Sequence, residues 1–586
     1  MKIKRIISIF LGSITLVAGC GKSVVINPGK QNNTEETIQS ETPVNGIRIA
    51  WDYTTLRKVS SSASGEKYCG YARMIQLHDQ SLMCVYEADG NIKVVKSKDL
   101  GNSWSQPLTI AARQEGINMA VPDILELKDQ SILVCYNPRP YLTDPSRRFA
   151  IRTIKSYDGG ISWKDERLLY EAGYQFENGC WEPAAVQLPN GEIQLFFANE
   201  GIYPYSDEQN ISMLSSADNG MSWSKSPKIV SFRAGKRDGM PSPLLLKNGK
   251  DIVFSIEDNG FTNFKPYLIR STLQNNWQET VSAQSTNRNY ALFEKIDDEI
   301  YAGAPYLRQL QSGETILSYQ GTEDRTNKMD FSEMKVVIGD ENALNFSRKS
   351  VPFVIPADKS GLWNSLSVIQ DNTVVALTST NAFSNNSEVW MIKGMAIPEL
   401  EAYKSQIKVD GMLNEDPWKG LFPVFVGQKS RTQARGNMAF DENYLYLSAD
   451  VRDENVYVTS SADQNDGIVY SIDALNKATD KPAEGIFQFF LTADNKLIVR
   501  EGSKAEWVEK SGFSGIQTQS LKTGNGYVQE LAIPWKILGG KPGPGSRIGF
   551  NLSLQENTGK SRAEYIEPVS GNLPDASYTW CSLFLK

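Results

Sequence analysis

Histidine is almost absent from this sequence. The single histidine, His78, lies in the turn-like segment Leu77-His78-Asp79-Gln80. A Ser-His-Asp triad, a Cys-His pair and a multi-histidine metal site all need histidines that this chain does not have. Any catalysis must therefore use carboxylates, tyrosines, arginines or lysines, and the sequence predicts neither a metal site nor a cofactor.

Cysteine pairs and basic runs are also scarce. Five cysteines follow Cys20 at wide spacing and no CxxC pair occurs, so neither a disulfide framework nor a zinc site is predicted. The formal net charge is −7, and no strongly basic run follows the N-terminus. A nucleic-acid partner is therefore not expected.

Long apolar runs are missing after the first twenty residues. Three basic residues within the first five precede an apolar segment, 6–17, that is too short to span a bilayer as a helix. This segment leads into Leu16-Val17-Ala18-Gly19-Cys20, which resembles a bacterial lipobox. An ordinary secretory signal followed by a chance cysteine is the alternative.

The lipobox resemblance implies a location and an anchor. It implies a lipoprotein signal peptide over 1–19, cleavage before Cys20 and lipidation of Cys20, which would hold the protein on a membrane of the bacterial cell envelope, at the outer membrane or facing the periplasm. Residues 20–45 are rich in Asn, Gln, Ser, Thr and Glu, a composition typical of a flexible tether.

The pattern Ser-x-Asp-x-Gly-x-x-Trp occurs three times, starting at Ser97, Ser156 and Ser216, at spacings of 59 and 60 residues. A weaker copy covers 271–277. A fixed period of this length indicates repeated units, and each unit contains several short strand-like segments. The pattern resembles the Asp-box of sialidase-like propellers. It implies an all-β, six-bladed β-propeller over 46–398, with the motif residues stabilising turns.

The remaining residues, 399–586, contain no copy of this pattern and are predicted to form a second domain. The segment from Ile407 to Trp418, the segment Gly526-Tyr527-Val528-Gln529-Glu530 and Trp535 follow one another in an order that resembles the family 9 carbohydrate-binding module, a β-sandwich. Trp418 and Trp535 belong to the structural motifs of that family and are expected in the core, whereas Trp507 is not assigned. A sandwich that binds no sugar is the alternative.

Four carboxylates interrupt apolar or aromatic strand-like segments: Glu182, Asp238, Glu257 and Glu323. Burying a carboxylate costs free energy unless the group is paired or performs a task. Taken one at a time, each of them is as consistent with a structural ion pair as with catalysis.

The order of the surrounding motifs resembles glycoside hydrolase family 93. The motifs are Trp181-Glu182-Pro183, Arg237-Asp238-Gly239-Met240-Pro241 and Ala302-Gly303-Ala304-Pro305. The resemblance implies an exo-acting, retaining hydrolase of a plant-type polysaccharide, α-1,5-L-arabinan, with Glu182 and Glu257 as its two catalytic glutamates. Such an enzyme uses one carboxylate as nucleophile and the other as acid/base. We expect Glu182 to be the nucleophile and Glu257 the acid/base.

The same resemblance implies contacts with the polysaccharide or oligosaccharide substrate. The residues expected to bind it are Arg73, Trp181, Arg237, Asp238, Tyr306 and Glu323. An exo enzyme also needs a loop that closes one end of the cleft, and the insertion at 141–148 is the candidate.

Two other functions fit parts of the sequence. An exo-α-sialidase would use three arginines, for which Arg73, Arg237 and Arg308 are available, with Tyr319 as nucleophile, although the Arg-Ile-Pro signature is replaced by Arg73-Met74-Ile75. A surface lipoprotein that binds glycans without cleaving them is the second alternative. It predicts sugar binding without turnover.

Overall fold

The computed structural model describes residues 47–60, 65–369, 372–419, 424–427, 432–543, 545–557, 564–566 and 574–586. The predicted signal peptide (1–19), Cys20 and the predicted tether (20–45) lie outside the described residues. Within the described part, no helix is long and apolar enough to cross a membrane.

The first part of the described chain is built from short antiparallel strands in groups of four. Strand β1 covers Ile47–Lys58. Five four-stranded sheets, blades 1 to 5, follow in sequence order. Their strands are β2 Cys69–Gln76, β3 Leu82–Ala88, β4 Asn91–Ser97, β5 Leu108–Ala111; β6 Ile117–Glu126, β7 Ile132–Pro140, β8 Ala150–Ser156, β9 Lys164–Glu171; β10 Cys180–Gln187, β11 Ile193–Asn199, β12 Asn210–Ser216, β13 Lys228–Ser231; β14 Asp238–Leu245, β15 Asp251–Asp258, β16 Lys265–Thr272, β17 Arg288–Tyr290; and β18 Ala302–Gln309, β19 Thr315–Gly321, β20 Glu333–Gly339, β21 Ser347–Ser350.

The sixth blade combines both ends of this region. Its first three strands are β22 Gly361–Val368, β23 Val374–Thr380 and β24 Glu388–Lys404, and β1 is its outer strand. β1 pairs antiparallel with β24, placing Ile49 opposite Ala396. The first strand of each blade contacts the first strands of both neighbouring blades, and β22 contacts β2, so the six inner strands form a closed ring. The predicted six-bladed propeller is confirmed.

Each of the six inner strands has a β-bulge near its start. The register of each strand with its neighbour shifts there, and one residue in each bulge has a positive φ between 46° and 52°. These six residues are Tyr71, Val121, Glu182, Met240, Ala304 and Trp363. Positive φ is costly for residues other than glycine, and such strain is concentrated at functional sites. We call the face of the propeller at which the inner strands begin the upper face.

The three copies of the Ser-x-Asp-x-Gly-x-x-Trp motif lie on the opposite, lower face, because each begins at the end of a third strand. In each copy the serine hydroxyl accepts a hydrogen bond from the glycine N–H and donates one to the aspartate. The serine–glycine distances are 2.7 Å in Ser97–Gly101, 2.8 Å in Ser156–Gly160 and 2.8 Å in Ser216–Gly220. The motifs therefore stabilise turns far from the bulges.

The second part of the chain forms two further sheets. Its strands are β25 Val424–Gly427, β26 Gln433–Phe440, β27 Tyr444–Arg452, β28 Gly467–Asp473, β29 Ile486–Thr492, β30 Leu497–Ser503, β31 Glu506–Lys510, β32 Gln517–Thr523, β33 Gly526–Pro534, β34 Arg547–Glu556, β35 Glu564–Ile566 and β36 Cys581–Leu585. Five 3-10 turns complete the described part: Phe176–Asn178, Met329–Phe331, Asp416–Trp418, Ala462–Gln464 and Ser577–Thr579.

The two sheets of this second domain share one hydrophobic core. One sheet has the order β31-β30-β29-β28-β34-β36 and the other the order β26-β27-β33-β32. Leu447 and Leu531 of the second sheet pack in one cluster with Ile472, Phe489 and Leu552 of the first. The predicted β-sandwich is confirmed, because two sheet faces bury their apolar residues against each other.

Strand β24 runs from the propeller into the sandwich, across the predicted domain boundary at 398/399. Its first part pairs with β23 and β1, and its last residues pair with β36 and β26. The carboxylate of Glu399 binds Arg348 of blade 5 at 2.8 Å and Arg547 of β34 at 2.6 Å. The junction is therefore a continuous strand with an ion pair on each side.

The tryptophans of the sandwich differ in exposure. Trp418 and Trp535 are buried, as expected, and their indole N–H groups donate to Glu530 Oε1 and to the carbonyl of Asp441. Trp507 is partly exposed, and its N–H donates to Asp575 Oδ1 at 2.7 Å.

Candidate active site

One carboxylate stands in the ring of six bulge residues. Tyr71, Val121, Met240 and Ala304 form an apolar cluster with Trp363, and the rings of Tyr71 and Trp363 stack at 4.4 Å. The sixth bulge residue is Glu182, with a φ of 49°. Its side chain is only 18% exposed. A charged group in an otherwise apolar ring is costly, and this position is therefore a strong candidate for chemistry.

Arg139, at the end of β7, binds this carboxylate. Its Nη2 donates to Glu182 Oε1 at 2.9 Å, and its Nε donates to Asn137 Oδ1 at 2.6 Å. The guanidinium lies over the ring of Trp181 at 4.9 Å. Sequence reasoning missed Arg139. The only local signal is its position at the end of a second strand, where side chains reach the upper face.

Glu257 approaches the axis from the second strand of blade 4. The N–H of Ala304, the bulge residue of blade 5, donates to Glu257 Oε2 at 3.0 Å. A Cβ on Gly239 would lie 3.0 Å from Glu257 Oε1, and a Cβ on Gly303 would lie 3.0 Å from Glu257 Oε2. These glycines belong to two of the three motifs that carried the sequence resemblance, and they make room for the Glu257 carboxyl.

The environment of Glu257 favours its neutral form. Burial raises the pKa of Glu257 to about 7, and the negative charge of Glu182 acts in the same direction. The Ala304 N–H and the positive charge of Arg237 oppose that rise. Burial and the charge of Glu182 therefore make Glu257 hold its proton to a higher pH than an ordinary glutamate does.

The contact made by Glu257 recurs elsewhere in the ring. Glu87 of blade 1 and Gln320 of blade 5 occupy equivalent positions on the second strands of their blades. Glu87 Oε2 accepts from Val121 N at 3.3 Å, and Gln320 Oε1 accepts from Trp363 N at 2.8 Å. An amide therefore satisfies the structural contact, and the acidity of Glu257 is not needed for the fold.

A second ion pair borders the site. Arg237 binds the buried Glu200 and also donates to Gln209 Oε1 at 2.8 Å. Burial raises the pKa of Glu200 to about 7 despite the positive charge of Arg237. Arg237 lies near enough to lower the pKa of Glu257 as well. The structure thus places the predicted Arg237 beside the site, with Glu200 as a partner that the sequence did not single out as a site residue.

Asp238 is fully buried behind the site. Arg288 Nη2 and Arg233 Nη2 lie 2.7 and 2.9 Å from its Oδ1, and Ser231 donates to its Oδ2 at 2.6 Å. Although burial acts to raise it, the two guanidiniums hold the pKa of Asp238 below its usual range. The structure therefore places this predicted substrate ligand in an ion-pair cluster that anchors the start of β14.

Arg73 and Tyr306 line one narrow axial cavity together with Glu182. The guanidiniums of Arg73 and Arg308 lie 4.6 and 4.3 Å from the centroid of the Tyr306 ring. The Tyr306 hydroxyl donates to Asp123 at 3.4 Å. These predicted residues reach the axis, but each is already engaged by protein neighbours.

Trp181 and Glu323 do not line the axial cavity. Trp181 is buried against Phe149 and Phe176, at centroid distances of 4.7 and 4.8 Å. Glu323 lines a separate cavity beside blade 5, where Tyr319 donates to it at 2.9 Å and Lys349 binds it at 3.0 Å. The structure does not bring Glu323 to the pair of glutamates. Over the described residues, no group of three or more His, Cys, Asp or Glu side chains has a metal-binding arrangement.

Replacing Glu87 with glutamine tests the burial effect in this ring. Burial raises the pKa of Glu87 to about 7, so the folded state favours the protonated carboxyl and the wild type loses stability as the pH rises from about 4.5 to 7. Glutamine keeps the acceptor for Val121 but carries no charge. We expect Glu87→Gln to exceed the wild type in unfolding free energy by about 1–3 kcal/mol above pH 7, and by little at pH 4.5. Urea denaturation across this range measures the difference. The exposed Glu115→Gln is the control, and a difference independent of pH would contradict the expectation.

The second part of the chain matches a known family model. Residues 408–580 match the family model described as "Carbohydrate family 9 binding domain-like". The chain is 26% identical over 152 residues to an endo-1,4-beta-xylanase A of Thermoanaerobacterium saccharolyticum, and 25% identical over 154 residues to the exoglucanase XynX of Acetivibrio thermocellus. Each match covers 25% of this chain but only 12% and 13% of those relatives.

Solved structures similar to the chain include two that contain arabinobiose. One is a GH93 alpha-L-arabinofuranosidase of Fusarium graminearum, 17% identical, with a TM-score of 0.44, covering 60% of this chain and 97% of that one. Another is an alpha-L-arabinanase of Penicillium chrysogenum, 15% identical, with a TM-score of 0.43, covering 60% and 98%. A third is the Hadza microbial sialidase Hz136, 11% identical, with a TM-score of 0.40, covering 58% and 68%. At such identities the roles of individual residues rest on this chain's own geometry.

Proposed function

We propose that the propeller is a retaining glycoside hydrolase in which Glu182 is the nucleophile and Glu257 the general acid/base. The observation that carries the proposal is the pair of glutamates from neighbouring blades, with Glu182 in the ring of bulge residues and Glu257 bound to the bulge residue Ala304. One is bound by an arginine, and the other has a pKa raised to about 7 by burial and by its partner's charge. Retaining glycoside hydrolysis requires one carboxylate that attacks the anomeric carbon and a second carboxyl group that donates a proton.

The proposed reaction has two steps. In the first, Glu182 attacks the anomeric carbon while Glu257 gives its proton to the glycosidic oxygen, so that the leaving sugar departs as an alcohol and a glycosyl ester forms on Glu182. In the second, Glu257, now a carboxylate, removes a proton from water, which attacks the anomeric carbon and releases Glu182. The environment suits these roles, since the Arg139 guanidinium binds Glu182 and the buried Glu257 holds its proton.

Two further groups support the pair. The guanidinium of Arg139 is held by Asn137 and by the ring of Trp181, so the nucleophile has a fixed partner. Arg237 is oriented by Glu200 and Gln209, and its remaining exposed surface faces solvent beside Glu257. In this proposal Arg237 binds sugar hydroxyls and Trp181 keeps Arg139 in place.

The proposed substrate is α-1,5-L-arabinan, attacked from a chain end. This choice follows the order of motifs around Glu182, Asp238 and Ala304, two of which supply the glycines that accommodate Glu257. We further propose that the sandwich binds polysaccharide, which its family match favours, and that a lipid on Cys20 keeps the protein on the bacterial cell envelope.

Sialidase chemistry finds less support in the site. The arginines that it would use are already engaged, since Arg73 and Arg308 both lie over the ring of Tyr306 and Arg237 binds Glu200. The hydroxyl of the buried Tyr319 donates to Glu323, which lines a separate cavity. The three arginines that a sialidase would use are therefore bound by protein groups and do not form a separate cluster for a substrate carboxylate.

Product analysis tests the proposed function. The chain lacking residues 1–45 is incubated with linear α-1,5-arabinan and, in parallel, with a sialylated oligosaccharide, and the products are separated by chromatography. We expect short arabinose-containing products that are lost in both Glu182→Ala and Glu257→Ala. Free sialic acid would overturn the two-glutamate assignment, and binding of arabinan without products would favour the non-catalytic alternative.

A further inference from the structure

A second pocket opens on the upper face between blades 1 and 2. Its lining includes Tyr68, Glu87, Asp89, Arg113, Asn118 and Tyr141. They come from the loop before β2, the end of β3 and the turn after it, the connection from β5 to β6, the start of β6 and the loop after β7. This pocket lies on the same face as Glu182, because the starts of inner strands and the ends of second strands share that face.

Tyr141 is a rigid aromatic wall of this pocket. Its hydroxyl accepts hydrogen bonds from Arg113 Nη2 at 2.7 Å and from Gly116 N at 3.1 Å. Its own N–H donates to the carbonyl of Gly116 at 2.9 Å. The guanidinium of Arg113 lies 4.7 Å from the centroid of the Tyr141 ring, yet Tyr141 remains 45% exposed. A tyrosine held at its hydroxyl and backbone while its ring is partly exposed offers a fixed apolar surface at little entropic cost.

The loop that carries Tyr141 is itself anchored. Arg147 binds Asp144 at 2.6 Å within the loop, and its Nε donates to the carbonyl of Glu115 at 3.0 Å. A Cβ on Gly116 would lie 2.4 Å from Arg147 Nε, so glycine is required for this close approach. The insertion at 141–148, expected to close one end of a cleft, thus packs against the loop between blades 1 and 2 and forms a wall of the pocket.

The pocket adjoins the axial cavity through Glu87. Glu87 lines the pocket, and its Oε2 accepts the N–H of Val121 at 3.3 Å, while Val121 lines the axial cavity together with Glu182. Arg139, which binds Glu182 at 2.9 Å, also lies 5.8 Å from the ring centroid of Tyr71 in the bulge ring. A sugar chain whose reacting bond lies at Glu182 therefore has this pocket beside it.

The chemistry of the lining favours a neutral, hydroxyl-rich ligand. Lys67 and Arg113 supply positive charge, and Asp89 and Glu87 supply acidic groups, so neither sign prevails. The carboxylate of Asp89 already accepts the N–H groups of Lys67 and Tyr68 at 3.0 and 3.1 Å. Asn118 provides an amide, and Tyr141 provides a ring surface against which the apolar face of a sugar can pack.

We propose that this pocket is a second saccharide subsite, in which Tyr141 packs against a neutral sugar residue of the chain whose scissile bond lies at Glu182. The proposal rests on the proposed function. It adds that occupation of the Tyr141 pocket makes the rate of the reaction depend on the length of the substrate. Binding energy from a sugar remote from the reacting bond then contributes to the transition state.

The test compares Tyr141→Ala with the wild type on α-1,5-linked arabino-oligosaccharides of two to six units. In the wild type we expect kcat/KM to rise about tenfold at the length that fills the pocket, which corresponds to about 1.4 kcal/mol. In Tyr141→Ala we expect this step to disappear, so that the ratio of kcat/KM between the longest and the shortest hydrolysed substrate falls about tenfold. The matched control is Tyr205→Ala, which removes a tyrosine that is 99% exposed in the loop between β11 and β12.

Two results would overturn the subsite. One is an equal loss of kcat/KM at every substrate length in Tyr141→Ala, which would indicate a general structural effect. Another is an unchanged length dependence. If the wild type hydrolyses none of the oligosaccharides, the proposed function fails instead, and calorimetric titration with arabino-, xylo- and cello-oligosaccharides decides the subsite separately. A binding site lost in Tyr141→Ala and kept in Tyr205→Ala would support it, whereas identical titrations would overturn it.

Discussion

Replacing Glu182 with glutamine is expected to lower kcat on arabinan by about 10⁴-fold, equivalent to roughly 5.5 kcal/mol of transition-state stabilisation. The amide has the shape of the carboxyl group but cannot form the covalent intermediate. The amide oxygen of the glutamine still accepts a hydrogen bond from Arg139, and the backbone bulge does not depend on the charge. The fold should therefore persist. Initial rates of product release and a thermal unfolding curve measured on the same sample check both expectations.

An exposed ion pair provides the control for this variant. Glu171 and Arg148 lie 3.4 Å apart on the outside of blade 2, and about half of each side chain is exposed. Glu171→Gln changes the same chemical group beside an arginine and should leave the rate within about twofold, since exposed pairs contribute little. A rate for Glu182→Gln within tenfold of the wild type would contradict the assignment of the nucleophile.

Chemical rescue separates the two catalytic roles. In Glu182→Ala, added azide would take the place of the missing nucleophile and attack the anomeric carbon directly, giving a glycosyl azide of inverted configuration. In Glu257→Ala, azide would instead attack the glycosyl ester on Glu182 and give a product of retained configuration. The opposite pattern would exchange the roles of the two glutamates while preserving the pair.

Replacing Glu257 with glutamine is expected to lower kcat by about 10³-fold on substrates with poor leaving groups, within the range contributed by acid–base groups. The loss should be much smaller for an aryl glycoside, because its leaving group departs without a proton. The pH profile gives a second test. Since the pKa of Glu257 is raised to about 7, the wild-type kcat/KM should fall as the pH rises through about 7 and the acid loses its proton.

The fold should tolerate Glu257→Gln because a glutamine already accepts a bulge-residue N–H in blade 5. There Gln320 Oε1 accepts the N–H of Trp363, as Glu257 accepts the N–H of Ala304. Glu257→Gln should therefore melt close to the wild type, whereas Glu257→Ala should lose the contact with Ala304. Glu177→Gln, in the exposed loop before β10, is the control. Equal rate losses on the aryl glycoside and on arabinan would contradict a role for Glu257 as the acid.

The sequence alone was sufficient to predict the architecture. Three copies of one motif at spacings of 59 and 60 residues indicated equal units, and the length of the region indicated six of them. The change of pattern near residue 399 indicated the second domain. Such features are local, because a turn motif or an alternation of apolar residues is set by neighbours along the chain. The burial of Trp418 and Trp535 was implied instead by the resemblance of their segments to the family 9 carbohydrate-binding module.

The candidate site was predictable only in part. The strand pattern drew attention to four carboxylates, and the resemblance to glycoside hydrolase family 93 selected Glu182 and Glu257 from them. In the structure Glu182 lines the axial cavity, and Glu257 accepts the N–H of the bulge residue Ala304. Arg139 carries no such signal, since an arginine between two prolines near the end of a strand is unremarkable until its partner is known. Asp238 and Glu323 are the opposite case, because the sequence singled them out and the structure places both away from the pair of glutamates. Their surroundings looked alike in the sequence, yet one is enclosed by two arginines and the other lies in a separate cavity.

The sequence by itself therefore determined the repeat, the domains and the residues able to carry acid–base chemistry. Only the tertiary structure decided which of these residues meet. The ring of bulge residues, the room that Gly303 leaves for Glu257 and the pairing of Arg139 with Glu182 each join residues from different blades. Closure of the ring by β1 and β24 likewise joins segments more than 300 residues apart. Contacts of this kind depend on the positions of whole blades, and no local pattern along the chain encodes them.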